Sequence, residues 1–168
     1  MADLKTLRLA SIALTAGLLD QYVRYQRVVI AELARPAGGE WSGRFAFAHG
    51  RAVAECTFDA LTLAKVKALV VEFCGKRSAV LTVRERVARA ERALAEAQAT
   101  GQPPPQKEQA LVARARRELP PLEDLRDFEA RYGAEARALL LAREAELVTL
   151  HRELARLEGG GHVHGGLG

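Results

Sequence analysis

Residues 82–119 decide the fold of this chain, and they read TVRERVARAERALAEAQATGQPPPQKEQALVARARREL. Apolar residues recur there at alternating three- and four-residue spacing, and a Gly-Gln-Pro-Pro-Pro segment interrupts the pattern once. The a and d positions of a heptad repeat are held by Val80, Val83, Val87, Ala90, Leu94 and Ala97. This spacing is typical of helices that pack through a narrow apolar stripe. We therefore predict a coiled-coil-like αα-hairpin over residues 82–119.

The helical pattern extends to the rest of the chain. Near the carboxyl end the same spacing is kept by Leu147, Leu150, Leu154 and Leu157, and residues 58–73 form the most hydrophobic segment. Residues 43–55 are ambiguous, because Phe45, Phe47 and His49 alternate as in a strand while an alanine-rich stripe follows helical spacing. Helix is favoured there, since no other strand candidate could pair with it. We predict an all-α fold, a helical bundle built mainly from helices over residues 3–34, residues 58–73 and the C-terminal segment.

Glycine, proline and capping residues set the predicted boundaries. The first helix should stop before Pro36, and a loop should follow over residues 40–42. Thr57 is the predicted N-cap of the 58–73 helix, Gly75 its end, and Thr82 with Glu85 a capping box that starts the hairpin. The second hairpin helix should cover residues 106–119, and Pro120 and Pro121 should break or kink the path. The last helix should reach residue 158, with a disturbance at Gly133.

These boundaries predict one helical domain over residues 1–158 and a flexible, glycine-rich tail over residues 159–168 that contains His162 and His164. The hairpin stripe is thin, because it is built on Val and Ala, and burial of Ala contributes only a fraction of what Leu would. The hairpin either packs on the bundle or projects from it as an arm, and periodicity does not separate these alternatives.

The charge is distributed unevenly along the chain. The formal net charge of the 168 residues is +4, and Arg outnumbers Lys 20 to 5. Residues 76–118 hold ten basic and five acidic side chains, a net charge of +5, whereas residues 119–168 hold six and nine, a net charge of −3. The high arginine content and the absence of Asn indicate a GC-rich coding bias. The basic segment should lie against the acidic one or against an acidic partner.

Cys56 and Cys74 lie at the two ends of the predicted 58–73 helix. At about 1.5 Å per residue their Cα atoms would be roughly 27 Å apart, whereas a disulfide requires less than about 7 Å. Both should therefore be buried free thiols. Cysteine spacing does not indicate a compartment.

The N-terminal residues allow two interpretations. Residues 9–19 are uncharged and follow Lys5 and Arg8, as in a secretory signal, and the protein would be secreted if residues 1–19 are such a signal. Asp3 and the lack of a small-x-small cleavage site favour an amphipathic helix instead, and with it a cytoplasmic location. Eleven uncharged residues are too few to cross a bilayer, so no transmembrane span is predicted.

Motifs that carry chemistry are missing from the sequence. There is no Gly-x-Ser-x-Gly, phosphate loop or dinucleotide fingerprint, so we predict no catalytic residues, no cofactor and no enzyme. The Glu-x-x-His pairs of di-iron bundles are also missing. His162 and His164 could hold Zn²⁺, Ni²⁺ or Cu²⁺, but two histidines are an incomplete site. His49 and His151 are isolated, and Trp41 is expected to cap the core rather than to line a ligand pocket.

A non-enzymatic interaction or scaffold protein is therefore the predicted function, acting through helix–helix contacts with a protein partner or a second copy of the chain. The candidate partner-binding residues are Arg89, Arg92 and Arg116 on the basic hairpin. One alternative is a small-ligand or metal-binding helical bundle. Another is nucleic-acid binding by the basic residues of the hairpin. Interleaved glutamates and the absence of aromatic residues over residues 76–127 argue against nucleic acid.

Overall fold

The computed structural model describes residues 12–35 and 41–160, and over these residues the ordered elements are all helices. They are α1 (Ala16–Ala34), α2 (Trp41–Cys56), α3 (Ala60–Ala99), α4 (Gln106–Glu123), α5 (Arg126–Tyr132), α6 (Ala134–Ala142) and α7 (Glu144–Gly160). The prediction of an all-α helical bundle is confirmed. The tail histidines His162 and His164 lie outside the described residues, so the prediction for the tail stays a prediction.

The chain divides into two compact units. Met1–Cys74 and Phe128–Gly168 form one, called here the bundle unit, and Gly75–Asp127 forms the other, called the hairpin unit. The hairpin unit contains the whole of the predicted 82–119 hairpin. Residues of α3 up to Cys74 belong to the bundle unit, and those from Gly75 onward to the hairpin unit.

The bundle unit is organised around α1, which packs against α2 and α7. Its buried face follows helical spacing, with Leu19, Tyr22, Val29 and Leu33 almost completely removed from solvent. The core is completed by fully buried side chains of other segments, namely Leu69, Phe73, Phe128, Leu140 and Leu147. The rings of Phe73 and Phe128 lie 5.8 Å apart. Aromatic contacts of this kind add to the stabilisation from burial alone.

The first helix starts later than the sequence indicated. It begins at Ala16, because Thr15 has extended backbone angles and its Oγ1 accepts a hydrogen bond from the amide of Leu18 at 3.2 Å. The predicted helix over residues 3–34 is therefore wrong for residues 12–15, and residues 1–11 lie outside the described residues. The predicted stop is confirmed, since Arg35 is extended before Pro36.

The helix favoured over residues 43–55 is confirmed as α2. It begins at Trp41, so the predicted loop is wrong at residues 41 and 42, and Glu40 lies outside the described residues. The side chain of Trp41 is also outside the described structure, and its predicted role as a cap on the core stays a prediction.

The 40-residue helix α3 contradicts three predicted boundaries, namely an N-cap at Thr57, a helix end at Gly75 and a helix start at Thr82. Asp59 caps the helix by accepting a hydrogen bond from the amide of Thr62 at 2.8 Å, whereas Thr57 takes a positive φ of 53°. The helix passes through Gly75 and through Thr82, whose hydroxyl donates to the carbonyl of Ser78 at 2.8 Å. An interior glycine costs only about 0.5–1 kcal/mol, too little to end a helix with buried side chains on both sides.

The hairpin turn follows the prediction. Gly101 takes a φ of 69°, its amide donates to the carbonyl of Gln98, and the amide of Gln102 donates to the carbonyl of Ala97 at 2.9 Å. These two bonds form a Schellman motif, in which glycine occupies the left-handed position. The second helix then begins at Gln106, as the proline run predicts.

The predicted break at Pro120 and Pro121 is wrong, because α4 continues to Glu123 with both prolines in its last turn. Proline angles suit a helix, and here only the final hydrogen bonds are lost. The disturbance at Gly133 is confirmed, since a φ of 89° there separates α5 from α6. A second interruption at Arg143, between α6 and α7, was not predicted. The chain of helices ends at Gly160, close to the predicted residue 158.

Candidate functional site

The hairpin unit carries a surface groove lined by α3 and α4, called here the hairpin groove. It consists of two adjoining depressions of about 320 Å³ and 300 Å³ that share Arg86 and Leu111. From α3 it is lined by Val83, Arg86, Arg89, Ala90 and Ala93. From α4 it is lined by Lys107, Glu108, Ala110, Leu111, Arg114, Ala115 and Glu118.

Small apolar residues form the base of the hairpin groove. Ala90 and Ala115 are buried, while Val83, Ala93 and Leu111 are half-buried. These positions follow the predicted a and d spacing on α3, and none of the six predicted positions from Val80 to Ala97 is exposed. Short side chains bury little area between the two helices but leave room for another backbone to approach closely.

The rim of the hairpin groove is cationic on both sides. On α4, the Nε of Arg114 donates to Oε1 of Glu118 at 2.7 Å, which neutralises that pair. On α3, the Nε of Arg89 donates only to the carbonyl of Glu85, at 3.4 Å. Arg86 and Lys107 form no ion pair with the residues that the structure describes. With Glu108 as the remaining carboxylate on the rim, the hairpin groove keeps an excess of positive charge.

Ion pairs elsewhere in the hairpin unit use other arginines. Arg84 pairs with Glu123 at 2.7 Å, and Arg126 pairs with Asp124 at 2.6 Å. Hydrogen bonds from Arg126 lower the pKa of Asp124 to about 2. Among the described residues, Glu123 and Asp124 therefore form ion pairs with arginines outside the groove and Glu118 pairs with Arg114 inside it, while Arg86 and Lys107 have no ion pair.

Only one of the three predicted partner-binding residues lies in the hairpin groove. Arg89 is on its wall, whereas Arg92 and Arg116 are exposed but are not among the described residues that line it. The sequence placed Arg86 and Lys107 among the basic hairpin residues considered for nucleic-acid binding but did not select them as partner-binding candidates. The sequence feature that could have identified Arg86 is its position three residues after Val83 and four before Ala90, which places it beside the apolar stripe.

A second candidate feature is a polar cluster in the bundle unit, formed by Tyr25 and Gln26 of α1 and His49 of α2. The hydroxyl of Tyr25 is hydrogen-bonded to Nδ1 of His49. Two aromatic rings surround this pair, since Phe45 lies 4.2 Å from the imidazole and Phe58 meets Tyr25 edge-on at 6.2 Å. The sequence presented His49 as isolated, because its partner is 24 residues away on another helix.

Two atoms of the polar cluster are buried without a hydrogen-bond partner among the described residues. They are Nε2 of His49 and Oε1 of Gln26, whose side chain is 2 % exposed. A buried polar atom without a partner costs about 1–3 kcal/mol, so few proteins keep one without a reason. This pair is the strongest indication of ligand binding in the bundle unit.

Burial keeps the polar cluster uncharged near neutral pH. Desolvation, assisted by the charge of Lys67, lowers the pKa of His49. Desolvation raises the pKa of Tyr25 to about 12, with a further contribution from Cys56, and it also raises the pKa of Tyr22. The imidazole is therefore neutral and both phenols are protonated under ordinary conditions.

The prediction of two buried free thiols is confirmed. Burial raises the pKa of Cys74 to about 12, helped by the nearby Glu144, and burial also raises the pKa of Cys56. The thiolate is the reactive form of cysteine, so neither residue is suited to nucleophilic or redox chemistry.

Metal binding has no assembled site in the described part of the chain. Residues 12–35 and 41–160 contain no group of three or more His, Cys, Asp or Glu side chains that could hold a metal ion. His151 is half-buried, and burial lowers its pKa. Within the same residues, no helix is both long enough and apolar enough to span a lipid bilayer.

Comparison of the chain with protein families, curated proteins and solved structures finds no match. The function is therefore inferred from the hairpin groove and the polar cluster.

Proposed function

We propose that this protein is a non-enzymatic interaction protein that binds a protein partner through helix–helix contacts of its hairpin unit. One observation carries the proposal, namely that the hairpin groove combines a base of small apolar residues with cations that have no carboxylate partner. Among the residues that line the groove, the buried ones are Ala90 and Ala115, so its base is made of small side chains.

The charges of the hairpin groove suit recognition more than stability. Arg86 and Lys107 line the groove from two helices, and neither forms an ion pair with a described carboxylate, so the groove keeps a positive charge that is not neutralised. A partner with carboxylates would neutralise this charge and would be steered toward the groove by the positive field. Binding should therefore be faster and tighter at low ionic strength.

Protein is favoured over nucleic acid as the partner. Residues 75–127 contain no Phe, Tyr or Trp, so the hairpin unit offers no ring on which a base could stack.

The proposal is tested by using the full chain as bait in a lysate of its native source. Three baits are compared with the wild type. In the first, residues 98–109 are replaced by a short Gly/Ser turn. In the second, the groove residues change as Arg86→Glu, Arg89→Glu and Lys107→Glu, and in the third Arg92→Glu, Arg116→Glu and Arg117→Glu carry the same charge change outside the groove.

We expect the groove triple variant to lose capture of the partner by about tenfold or more, and the outer triple variant to lose much less. Equal losses would mean that the net charge of the hairpin, rather than the groove, recruits the partner. Unchanged capture by all three baits would contradict the assignment of the hairpin as the interaction element.

A second candidate function is small-ligand binding in the bundle unit, favoured by the partnerless Nε2 of His49 and Oε1 of Gln26. Such a ligand would offer a hydrogen-bond partner to Nε2 of His49 or a donor to Oε1 of Gln26. Native mass spectrometry of the freshly purified chain would detect a co-purifying molecule, which His49→Phe should release. A chain that carries no added mass, and whose thermal stability does not respond to polar small molecules, would rule this candidate out.

A further inference from the structure

We infer that the occupant of the hairpin groove is a single acidic, amphipathic α-helix of a partner protein, which packs on α3 and α4 as a third helix. This inference rests on the proposed function and names the chemistry of the partner. It follows from the length of the groove, its base and the position of its charges.

The length of the hairpin groove suits a helix of about three turns. Its α3 wall extends from Val83 to Ala93, and ten residue steps at about 1.5 Å correspond to roughly 15 Å. An extended peptide is a poor occupant, because the backbone amides of both walls are used inside helices and cannot add a strand. A proline-rich peptide is equally poor, because such peptides need aromatic walls and residues 75–127 contain none.

The base of the hairpin groove allows a third helix to approach closely. Ala90 and Ala115 present only methyl groups, and Leu111 lies between the two depressions as a half-buried ridge. Apolar side chains at i, i+3, i+4 and i+7 of the partner would fill the depressions on either side of Leu111.

The positions of the groove cations determine which part of the partner helix should be acidic. Arg86 and Arg89 are three residues apart on one wall, and Lys107 stands on the opposite wall near Ala93. At the other end Arg114 is paired with Glu118, which leaves Arg86, shared by both depressions, as the cation there without an ion pair to a described residue. The partner helix should therefore carry carboxylates on both flanks of its apolar stripe, concentrated at the end that lies beside Lys107.

A second copy of the same chain is disfavoured as the occupant, because many of its carboxylates already form ion pairs with arginines. The bundle unit pairs Asp20 with Arg143, Glu72 with Arg131 and Glu129 with Arg137. Glu32 and Glu146 are likewise engaged, by Arg51 and Arg27. To use these carboxylates a second copy would have to break its own ion pairs.

The test uses synthetic helical peptides of about 20 residues, which is long enough for an isolated helix to form. Their apolar stripe is constant, and the flanking positions hold Glu, Gln or Lys. Binding to the full chain is followed by fluorescence anisotropy. The groove variant carries Arg86→Glu with Lys107→Glu, and the matched control carries Arg116→Glu with Arg117→Glu, the same charge change outside the groove. Circular dichroism verifies that both variants are folded.

We expect the Glu peptide to bind, the Gln peptide to bind at least about tenfold more weakly, and the Lys peptide not to bind. The groove variant should lose about tenfold or more in affinity for the Glu peptide, whereas the control should stay within about threefold. The affinity should fall as salt is raised from 50 to 300 mM, concentrations chosen to shorten the Debye length from about 14 to 6 Å.

Three results would overturn the inference. The first is equal binding of the Glu and Gln peptides, or no binding of either. The second is binding of a single-stranded oligonucleotide that the groove variant loses and the control keeps. The third is a concentration-dependent dimer, seen by sedimentation, that the groove variant abolishes. If peptide binding fails while the hairpin-dependent capture from lysate persists, this inference is wrong and the proposed function stands.

Discussion

The hydroxyl of Tyr25 on α1 is hydrogen-bonded to Nδ1 of His49 on α2, and the second ring nitrogen of His49 is buried without a partner among the described residues. The contact joins two helices that pack extensively on each other. Which atom donates depends on the tautomer of His49. In the tautomer whose Nδ1 accepts from the Tyr25 hydroxyl, protonation of Nδ1 removes that acceptor.

The first prediction concerns the pH dependence of stability. Burial lowers the pKa of His49 in the folded state, so below its ordinary value of about 6.5 the unfolded chain binds a proton more readily than the folded chain. Stability should therefore decrease as the pH falls from 7.5 to 5.5, as measured by urea denaturation. His49→Gln should reduce this decrease more than His151→Gln, because Nε2 of His49 is the buried atom without a partner. An equal effect of the two substitutions would contradict the special position of His49.

The second prediction compares the two units. Leu69 is completely buried in the bundle unit, so Leu69→Ala should reduce the free energy of unfolding by about 2–5 kcal/mol. Val87 is half-buried in the hairpin unit, and Val87→Ala should have a clearly smaller effect. Chemical denaturation monitored by circular dichroism measures both. Losses of the same size would show that the hairpin stripe is packed as firmly as the bundle core.

The third prediction contrasts two glycines. Gly75 lies inside α3, and a Cβ there would meet nothing within 4 Å, so Gly75→Ala should stabilise the protein by about 0.5–1 kcal/mol. A Cβ at Gly101 would also meet nothing within 4 Å, but Gly101 has a φ of 69°. Gly101→Ala should therefore destabilise the protein by about 1–2 kcal/mol. Thermal unfolding of the two variants is the measurement. A destabilising Gly75→Ala would mean that α3 is interrupted there.

The fourth prediction concerns the thiols. Because Cys56 and Cys74 are buried and their pKa values are raised, a thiol reagent at pH 8 should react slowly with the folded protein. Two thiols should be alkylated after denaturation without reductant. Detection of an intramolecular bridge between Cys56 and Cys74 by mass mapping would contradict the continuous helix that separates them.

The fifth prediction addresses the hairpin tip. Replacement of residues 98–109 by a short flexible turn should change the midpoint of thermal unfolding by less than about 4 °C, because the core of the bundle unit lies elsewhere in the chain. A large loss of stability would show that the hairpin is needed to hold the bundle together, and the interaction proposal would lose its main support.

Much of the fold follows from local signals, and the failures have a common cause. The glycine at the hairpin tip and the proline run before α4 act within a few residues, so periodicity and turn chemistry located them correctly. At Gly75 and Thr82 the local signal for a helix end or start was overridden, since continuous helical packing outweighs a penalty of about 1 kcal/mol. Pro120 and Pro121 were misjudged for a similar reason, because proline in the last turn removes few hydrogen bonds.

The candidate sites were harder to predict, because they depend on residues brought together from different helices. Tyr25 and His49 lie on different helices, 24 residues apart in the sequence, and each appeared unremarkable in its own segment. Arg86 of α3 and Lys107 of α4 line the same depression, and only the register between the two helices brings both to one groove. Charge counting identified the basic hairpin but selected Arg92 and Arg116, which lie outside the groove that the helices form.

The two buried thiols determine how the stability of the fold responds to redox conditions. Because the described residues contain no disulfide, reduction removes no covalent link from them, and because both sulfurs are buried, oxidation has little access to them. The stability of the fold should therefore be nearly the same under a reducing and under an oxidising potential.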